Sequence, residues 1–237
     1  MTERLYFRQW LAGRDFAVGN QLARQMVNFV YAIGDHETGD VVLVDPAYAP
    51  AELVGLVEAD GLKVTGVLAT HYHPDHVGGE MMGHSIAGIE ELLGVVDVPI
   101  HVQSDEVPWV ERRTGVGASH LSAHSSSDKV SVGAIEIELI HTPGHTPGSQ
   151  CFLVDGKLVS GDTLFLEGCG RTDLPGSDPE EMYRTLQQRL LRISDDTVVF
   201  PGHLYSPESS APMSEVRRFN YALAPTTAEQ WLAMFAR

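Results

Sequence analysis

Val64-Thr65-Gly66-Val67-Leu68-Ala69-Thr70-His71-Tyr72-His73-Pro74-Asp75-His76 is the stretch that decides the fold, an apolar run that ends in three histidines and an aspartate. The run from Val64 to Ala69 is rich in β-branched residues and reads as a buried strand, so the cluster sits at a strand's C-terminal end. In extended backbone, residues two apart project to the same side, and His71 and His73 therefore reach one point together. Pro74 bars a regular helix through the cluster and keeps His73 extended. Asp75 and His76 follow on a turn and face a second point nearby. Imidazole with carboxylate suits zinc, iron or manganese, whereas calcium and magnesium prefer all-oxygen sites. The competing reading is a solvated His-rich loop.

With 237 residues, 43% of them apolar, the chain can bury a substantial core. Its net charge of −16 argues against nucleic acid or an anionic membrane surface as partner. Two cysteines, Cys151 and Cys169, make no disulfide framework. The opening residues lack the continuous apolar core of a signal peptide, and no apolar run approaches a membrane span, so a cytoplasmic protein is expected.

Leu5 to Trp10, Met26 to Ile33 and Val41 to Val44 read as strands of an antiparallel meander. Asp45, before Pro46, reads equally well as a turn residue or as a partner to a metal-bound histidine. Ala51 to Ala59 and Ser85 to Leu93 read as helices, and Pro99 to Val102 as a strand. Gly115 to Ser127 is polar and reads as an exposed loop. His84, His101, His120 and His124 lack ligand spacing with a carboxylate and are taken as surface or packing residues. Val130 to Ile140 reads as one half-buried strand, returning through Ser149 to Val154 and then Lys157 to Ser160. Asp178-Pro179-Glu180-Glu181 starts a helix whose stripe of Met182, Leu186, Leu190 and Ile193 faces the core. Thr197 to Phe200 is the last strand.

His145, Asp162 and His203 each stand on a turn just after a predicted strand. If those strands belong to sheets packed face to face, their ends share one rim and the ligands converge there.

The motifs H-x-H-x-D-H, T-P-G-H-T, S-G-D-T-L-F and P-G-H, in that order from His71 to His203, resemble the metallo-β-lactamase superfamily. The resemblance runs from about Met26 to His203. It implies an α+β fold, a four-layer αβ/βα sandwich of two facing mixed β-sheets with outer helices. It also implies a single domain over residues 1–237 with a short helical tail from about 206 to 237. Carried over, His71, His73 and His145 would form one metal site and Asp75, His76 and His203 a second, with Asp162 bridging both. The cofactor is then two divalent ions, zinc first, with iron or manganese as alternatives.

Gly168-Cys169-Gly170-Arg171 resembles the thiol-holding turn of glyoxalase II-type thioesterases, and Tyr205 matches a thiol-contacting tyrosine of that pattern. Thr172-Asp173, the opening Phe7-Arg8-Gln9 and the tail with Arg217-Arg218-Phe219-Asn220 and Trp231-Leu232 look more like persulfide dioxygenases. Only 34 residues follow His203, too few for the helical domain with which typical glyoxalase II enzymes bind glutathione. True β-lactamases of the common class place Cys where Asp162 stands, and ribonuclease-type members need basic surface.

The function implied is cleavage of a hydroxyacyl thioester by a metal-bound hydroxide, with Asp75 as the catalytic carboxylate and Arg171 and Tyr205 binding substrate. The alternative is a mononuclear Fe(II) persulfide dioxygenase acting on a glutathione-type persulfide, with iron on His71, His145 and Asp162. A metal-binding protein without catalysis is the third. The expected partner is a small-molecule thiol conjugate, and the pattern leaves the oligomeric state open.

Overall fold

The computed structural model describes residues 4–225 and 227–235; the first three residues, position 226 and the last two of the expected tail lie outside the described residues. Its strands are β1 (Leu5–Leu11), β2 (Phe29–Asp35), β3 (Asp40–Val44), β4 (Lys63–Leu68), β5 (Gly79–Met81), β6 (His84–Ile86), β7 (Ile100–Gln103), β8 (Leu121–His124), β9 (Lys129–Val132), β10 (Ile135–His141), β11 (Gln150–Val154), β12 (Lys157–Gly161), β13 (Val198–Pro201) and β14 (Ala211–Pro212). The helices are α1 (Gln21–Met26), α2 (Pro50–Ala59), α3 (Pro74–Val77), α4 (Ile89–Leu93), α5 (Val107–Thr114), α6 (Pro179–Arg184), α7 (Met213–Phe219) and α8 (Ala228–Phe235).

Two six-stranded mixed sheets face each other, ordered β1-β2-β3-β4-β7-β8 and β14-β13-β12-β11-β10-β9. Strand alternation decides which side chain enters which layer. In β3, Val42 and Val44 join Ile33, Leu68, Ile137, Phe152 and Val159 between the sheets. Val41 and Leu43 point the other way, into a layer with Leu53, Val57, Ile89 and Leu92 of α2 and α4. The outer face of the second sheet, with Leu158 and Val199, packs on Met182, Leu186, Leu190, Val216 and Trp231. These three apolar layers give the helix–sheet–sheet–helix order expected from sequence. Burying each such side chain contributes about 1.5–3 kcal/mol.

The direction of the strands builds the functional rim. β3 and β4 run parallel and β2 antiparallel to both, so the start of β2 lies beside the ends of β3 and β4. In the second sheet β10, β12 and β13 run the same way, and their C-terminal ends share one edge. The two rims are tied where Phe29 N donates to Gly202 O at 2.8 Å and Tyr31 Oη to Pro201 O at 2.5 Å.

Four local expectations are corrected. Residues 21–26 form α1, and the strand expected from Met26 begins at Phe29. The helix expected over Ser85 to Leu93 is halved: residues 84–86 pair with β5 across Met82-Gly83, both at positive φ, and α4 starts after Gly88. The single strand expected over Val130 to Ile140 is a hairpin, because Gly133 turns at φ +60° and Asp35 takes the Ala134 N–H at 2.8 Å. The loop over Gly115 to Ser127 contains β8, paired parallel to β7. Asp178 caps α6 as expected, accepting from the N–H groups of Glu180 and Glu181. The helix then loosens to a π turn at Thr185–Arg189, where Thr185 Oγ1 donates to Pro143 O at 2.7 Å. Among the described residues no helix is long and apolar enough to cross a membrane.

Candidate metal centre

β4 ends at Leu68, His71 follows three residues later, and His73 is extended before Pro74 opens the one-turn helix α3. Pro74 thus sets the helix start, and the turn expected for Asp75 and His76 is that single helical turn. His145 lies between β10 and β11, Asp162 follows β12 and His203 follows β13. All seven residues expected from sequence meet on the shared rim. His71, Asp75, His76, His145 and His203 are buried, as is Asp162 Oδ1, while His73 and the rest of Asp162 are half-buried at the surface of the cluster.

Six of them form two triads, and Asp45 makes a further group with His71 and His76. In the first, His73 Nδ1 is 3.0 Å from both His71 Nε2 and His145 Nε2. In the second, His76 Nε2 and His203 Nε2 are 3.3 Å apart, and Asp75 Oδ2 lies 3.6 and 3.5 Å from them. Asp162 stands between: Oδ1 is 3.4 Å from both His76 and His203 Nε2, and Oδ2 is 3.7 Å from His145 Nε2.

Hydrogen bonds on the far side of each ring fix where the lone pairs point. His145 Nδ1–H donates to Arg171 O at 2.8 Å and His203 Nδ1–H to Met26 O at 2.7 Å; a carbonyl only accepts, so in each neutral ring the lone pair lies on Nε2. Asp45 Oδ2 takes His76 Nδ1–H at 2.8 Å and the Thr70 hydroxyl at 2.6 Å. That hydroxyl, its proton committed, accepts from His71 Nδ1–H at 2.9 Å. Asp45 sits at φ +54° in the turn after β3 and is both of the things the sequence offered, a turn residue and a partner to a cluster histidine.

Five imidazole nitrogens and the carboxylates of Asp75 and Asp162 thus converge on one region. Asp162 Oδ1 is fully buried and has no hydrogen-bond partner, an arrangement that costs several kcal/mol unless a cation sits against it. A cation inside either triad would lie about 2 Å from its donors, as zinc does with imidazole and carboxylate. The residues therefore fit divalent metal ions.

The titration pattern has the same cause. Burial and neighbouring imidazoles push His71 well down, and burial with His145 nearby brings His73 to about 3. His76 loses by burial too, yet Asp75, Asp162 and Asp45 push it up to about 10, and His203 is raised likewise by Asp162 and Asp75. Burial opposes ionisation of Asp75 and Asp162, but His76 and His203 hold both below the ordinary carboxylate range.

A cavity of about 740 Å³ opens over His73, Asp75, His145, Asp162 and His203. Its wall includes Phe165, Cys169, Arg171, Tyr205 and Tyr221. Tyr205 stacks on His203 with ring centroids 4.7 Å apart and planes 7° from parallel. Arg171 reaches the cavity rim with its guanidinium held by both oxygens of Asp173, at 2.8 and 2.9 Å. His101 pairs with His124 at 2.8 Å and His120 lies 3.7 Å from Asp97, away from the triads.

Three residues here have no signal in the sequence. Asn28, at the start of β2, points its Nδ2 at Asp75 Oδ2 from 3.1 Å, and Tyr48 Oη donates to Asn28 Oδ1 at 2.8 Å. Glu106, buried before α5, accepts from Tyr72 N (2.7 Å), Thr146 Oγ1 (2.8 Å) and Gly148 N (2.7 Å). Burial pushes Glu106 up to about 7 despite those bonds.

Comparison with known proteins agrees with this geometry. The family described as the metallo-beta-lactamase superfamily matches residues 24–203. The hydroxyacylglutathione hydrolase of a Polaromonas species is 34% identical over 182 residues, 75% of this chain and 62% of that protein. The mitochondrial persulfide dioxygenase ETHE1 of Bos taurus is 27% identical over 216 residues, 88% of this chain and 78% of that protein. Among solved structures, ETHE1 from Myxococcus xanthus superposes with a TM-score of 0.79 at 25% identity, covering 97% of this chain and 89% of its own.

Proposed function

The chain belongs to the metallo-β-lactamase superfamily, and from that premise we propose that it is a metal-dependent hydrolase of small-molecule thioesters, of the glyoxalase II type. The observation that carries this reading is the Asp162 carboxylate, one oxygen facing His76 and His203 and the other facing His145, so that one side chain spans both triads. His71, His73 and His145 would hold one divalent cation and Asp75, His76 and His203 a second, zinc first and iron or manganese as alternatives. When bound, such ions act as Lewis acids and lower the pKa of a coordinated water toward 7.

The protein's own groups do the rest. Asp45 aims rings of both triads, through Thr70 to His71 and directly to His76. Asp75, kept ionised by His76 and His203, orients the attacking water. Phe165, Tyr205 and Tyr221 give the thiol and acyl chains an apolar wall, and Arg171 takes a substrate carboxylate in place of Asp173. A thiolate leaves with a pKa near 8.5, so the reaction needs no separate general acid. The reading takes the chain as one domain working in the cytoplasm, with no nucleic-acid or membrane partner.

A second reading is favoured by coverage: the chain spans 78% of the bovine persulfide dioxygenase against 62% of the hydroxyacylglutathione hydrolase. In it a single iron would rest on His71, His145 and Asp162, with a glutathione-type persulfide as substrate. Metal counting with anaerobic assay separates the two. Two ions per chain and thioester cleavage under nitrogen support the hydrolase. One iron per chain, with oxygen consumed on a persulfide and no thioester cleavage, overturns it in favour of the dioxygenase.

A further inference from the structure

Asn28 stands closer to the second triad than its place in the sequence suggests. Its Nδ2 lies 3.1 Å from Asp75 Oδ2, 3.3 Å from His76 Nε2 and 3.4 Å from His203 Nε2. Those three atoms are themselves 3.3, 3.5 and 3.6 Å apart. The four atoms are the corners of a nearly regular tetrahedron, whose centre is about 2 Å from each corner, the length of a zinc–imidazole or zinc–carboxylate bond. With Nδ2 inward, the amide hydrogens serve the carboxylate and the two lone pairs, standing where a cation would act.

The amide's other end explains how it could do otherwise. Asn28 is 1% exposed, and its Oδ1 accepts from Tyr48 Oη at 2.8 Å. A phenol hydroxyl both donates and accepts, so the carboxamide can turn end for end and keep that bond, Nδ2–H then donating to Tyr48 Oη. The two orientations have the same shape. Turned over, Asn28 presents a carbonyl oxygen to the centre of the cage.

We propose that Asn28 is a further ligand residue of the second triad, offering Oδ1 to a bound cation and Nδ2 to Asp75, His76 and His203 in its absence. The inference rests on the two-ion reading above. It makes the second site depend on a residue outside the H-x-H-x-D-H run, while the first site, built of three imidazoles, is indifferent to it.

The test is a calorimetric titration of the full, metal-free chain with zinc alone, for the parent, Asn28→Leu and Asn28→Asp. Leucine keeps the size without a donor atom; aspartate places an oxygen at the same point. The parent should take up two equivalents. Asn28→Leu should keep the first affinity and lose about tenfold or more at the second, and Asn28→Asp should bind the second at least as tightly as the parent. Cobalt in place of zinc gives a second readout: the visible absorption of the second equivalent should change in Asn28→Leu and not that of the first. A second zinc bound by Asn28→Leu as tightly as by the parent, or weakened by Asn28→Asp, overturns the inference alone and leaves the two-ion reading standing. A parent that takes up one equivalent overturns both. If Asn28→Leu does not fold, the Asn28→Asp arm still decides.

Discussion

Replacing Glu106 tests how the first triad is held. Its buried carboxylate ties two ligand-bearing loops together: Tyr72, whose N–H it accepts, lies between His71 and His73, and Thr146 and Gly148 follow His145. Glu106→Ala leaves the N–H groups of Tyr72 and Gly148 buried without an acceptor. The Thr146 hydroxyl escapes that fate, because Ser149 Oγ is 2.7 Å away. Two orphaned donors cost about 1–3 kcal/mol each, so the loss should be about 2–6 kcal/mol of a total near 5–15. Glu106→Gln keeps one oxygen for Tyr72 and Thr146 but sets an amide N–H against the Gly148 N–H, and should lose about 1–3 kcal/mol.

Urea denaturation of metal-free and metal-loaded protein measures both. A strap between ligand loops predicts a greater loss in the loaded form, since weaker metal binding adds to the structural cost. The pH dependence supplies an independent check. Burial raises Glu106 from 4.5 to about 7 in the folded protein, so the folded state binds the extra proton. Its contribution is fully present below about 4.5 and is lost as pH rises through about 7. The stability of the parent relative to Glu106→Gln should therefore fall across that window, the other titrations cancelling in the difference. An Ala variant within about 0.5 kcal/mol of the parent, or an unchanged metal affinity, would refute the reasoning.

Three further outcomes follow from contacts around the cluster. A Cβ at Gly170 would lie 2.8 Å from His145 Nδ1 and would also press on the Asp162 carbonyl; Gly170→Ala should weaken the first cation at least about tenfold, about 1.4 kcal/mol, in competition with a chromophoric chelator. Asp45→Asn removes the anion that holds Thr70 and His76, and should cost about 10–100-fold in metal affinity, read by the same competition. Chelation followed by dialysis should lower the melting temperature, and zinc at a thousandfold over its dissociation constant should restore about 4 kcal/mol, measured by calorimetry. An unmoved transition would count against metal binding to the folded protein.

What could be read from sequence was whatever local pattern encodes. A β-branched run followed by H-x-H-x-D-H announces a strand with ligands at its end, and Asp178-Pro179 announces a helix because cap and fixed φ act within one turn. The misread segments share a cause. Periodicity over Val130 to Ile140 continues through Gly133, and only the positive φ there, stabilised by the distant Asp35, breaks the strand in two. Ser85 and Ile86 have helical spacing with the residues that follow, but pairing with Gly79 and Glu80 overrides it. Asn28, Tyr48 and Glu106 were illegible for a different reason. Each is a single polar residue, and the partners that give it a role lie 20 to 175 positions away.

Charge gives the strongest reason why this cluster needs cations and is more than a convergence of motifs. Asp45, Asp75 and Asp162 bring three carboxylates into one buried region of a chain whose net charge is already −16. Without metal, the compensating protons would fall on His76 and His203, the two rings these carboxylates raise. Yet their Nδ1 protons are already committed to Asp45 and Met26, and their Nε2 atoms face each other at 3.3 Å. Protonating both would set two donors head to head, and protonating one would leave Asp162 Oδ1 dependent on a single shared proton. A divalent ion held by His76, His203 and Asp162 would supply the positive charge that both lone pairs and the orphaned oxygen lack. The same residues that a proton serves poorly, a metal serves together, so the protein's stability and its chemistry should titrate with one ligand.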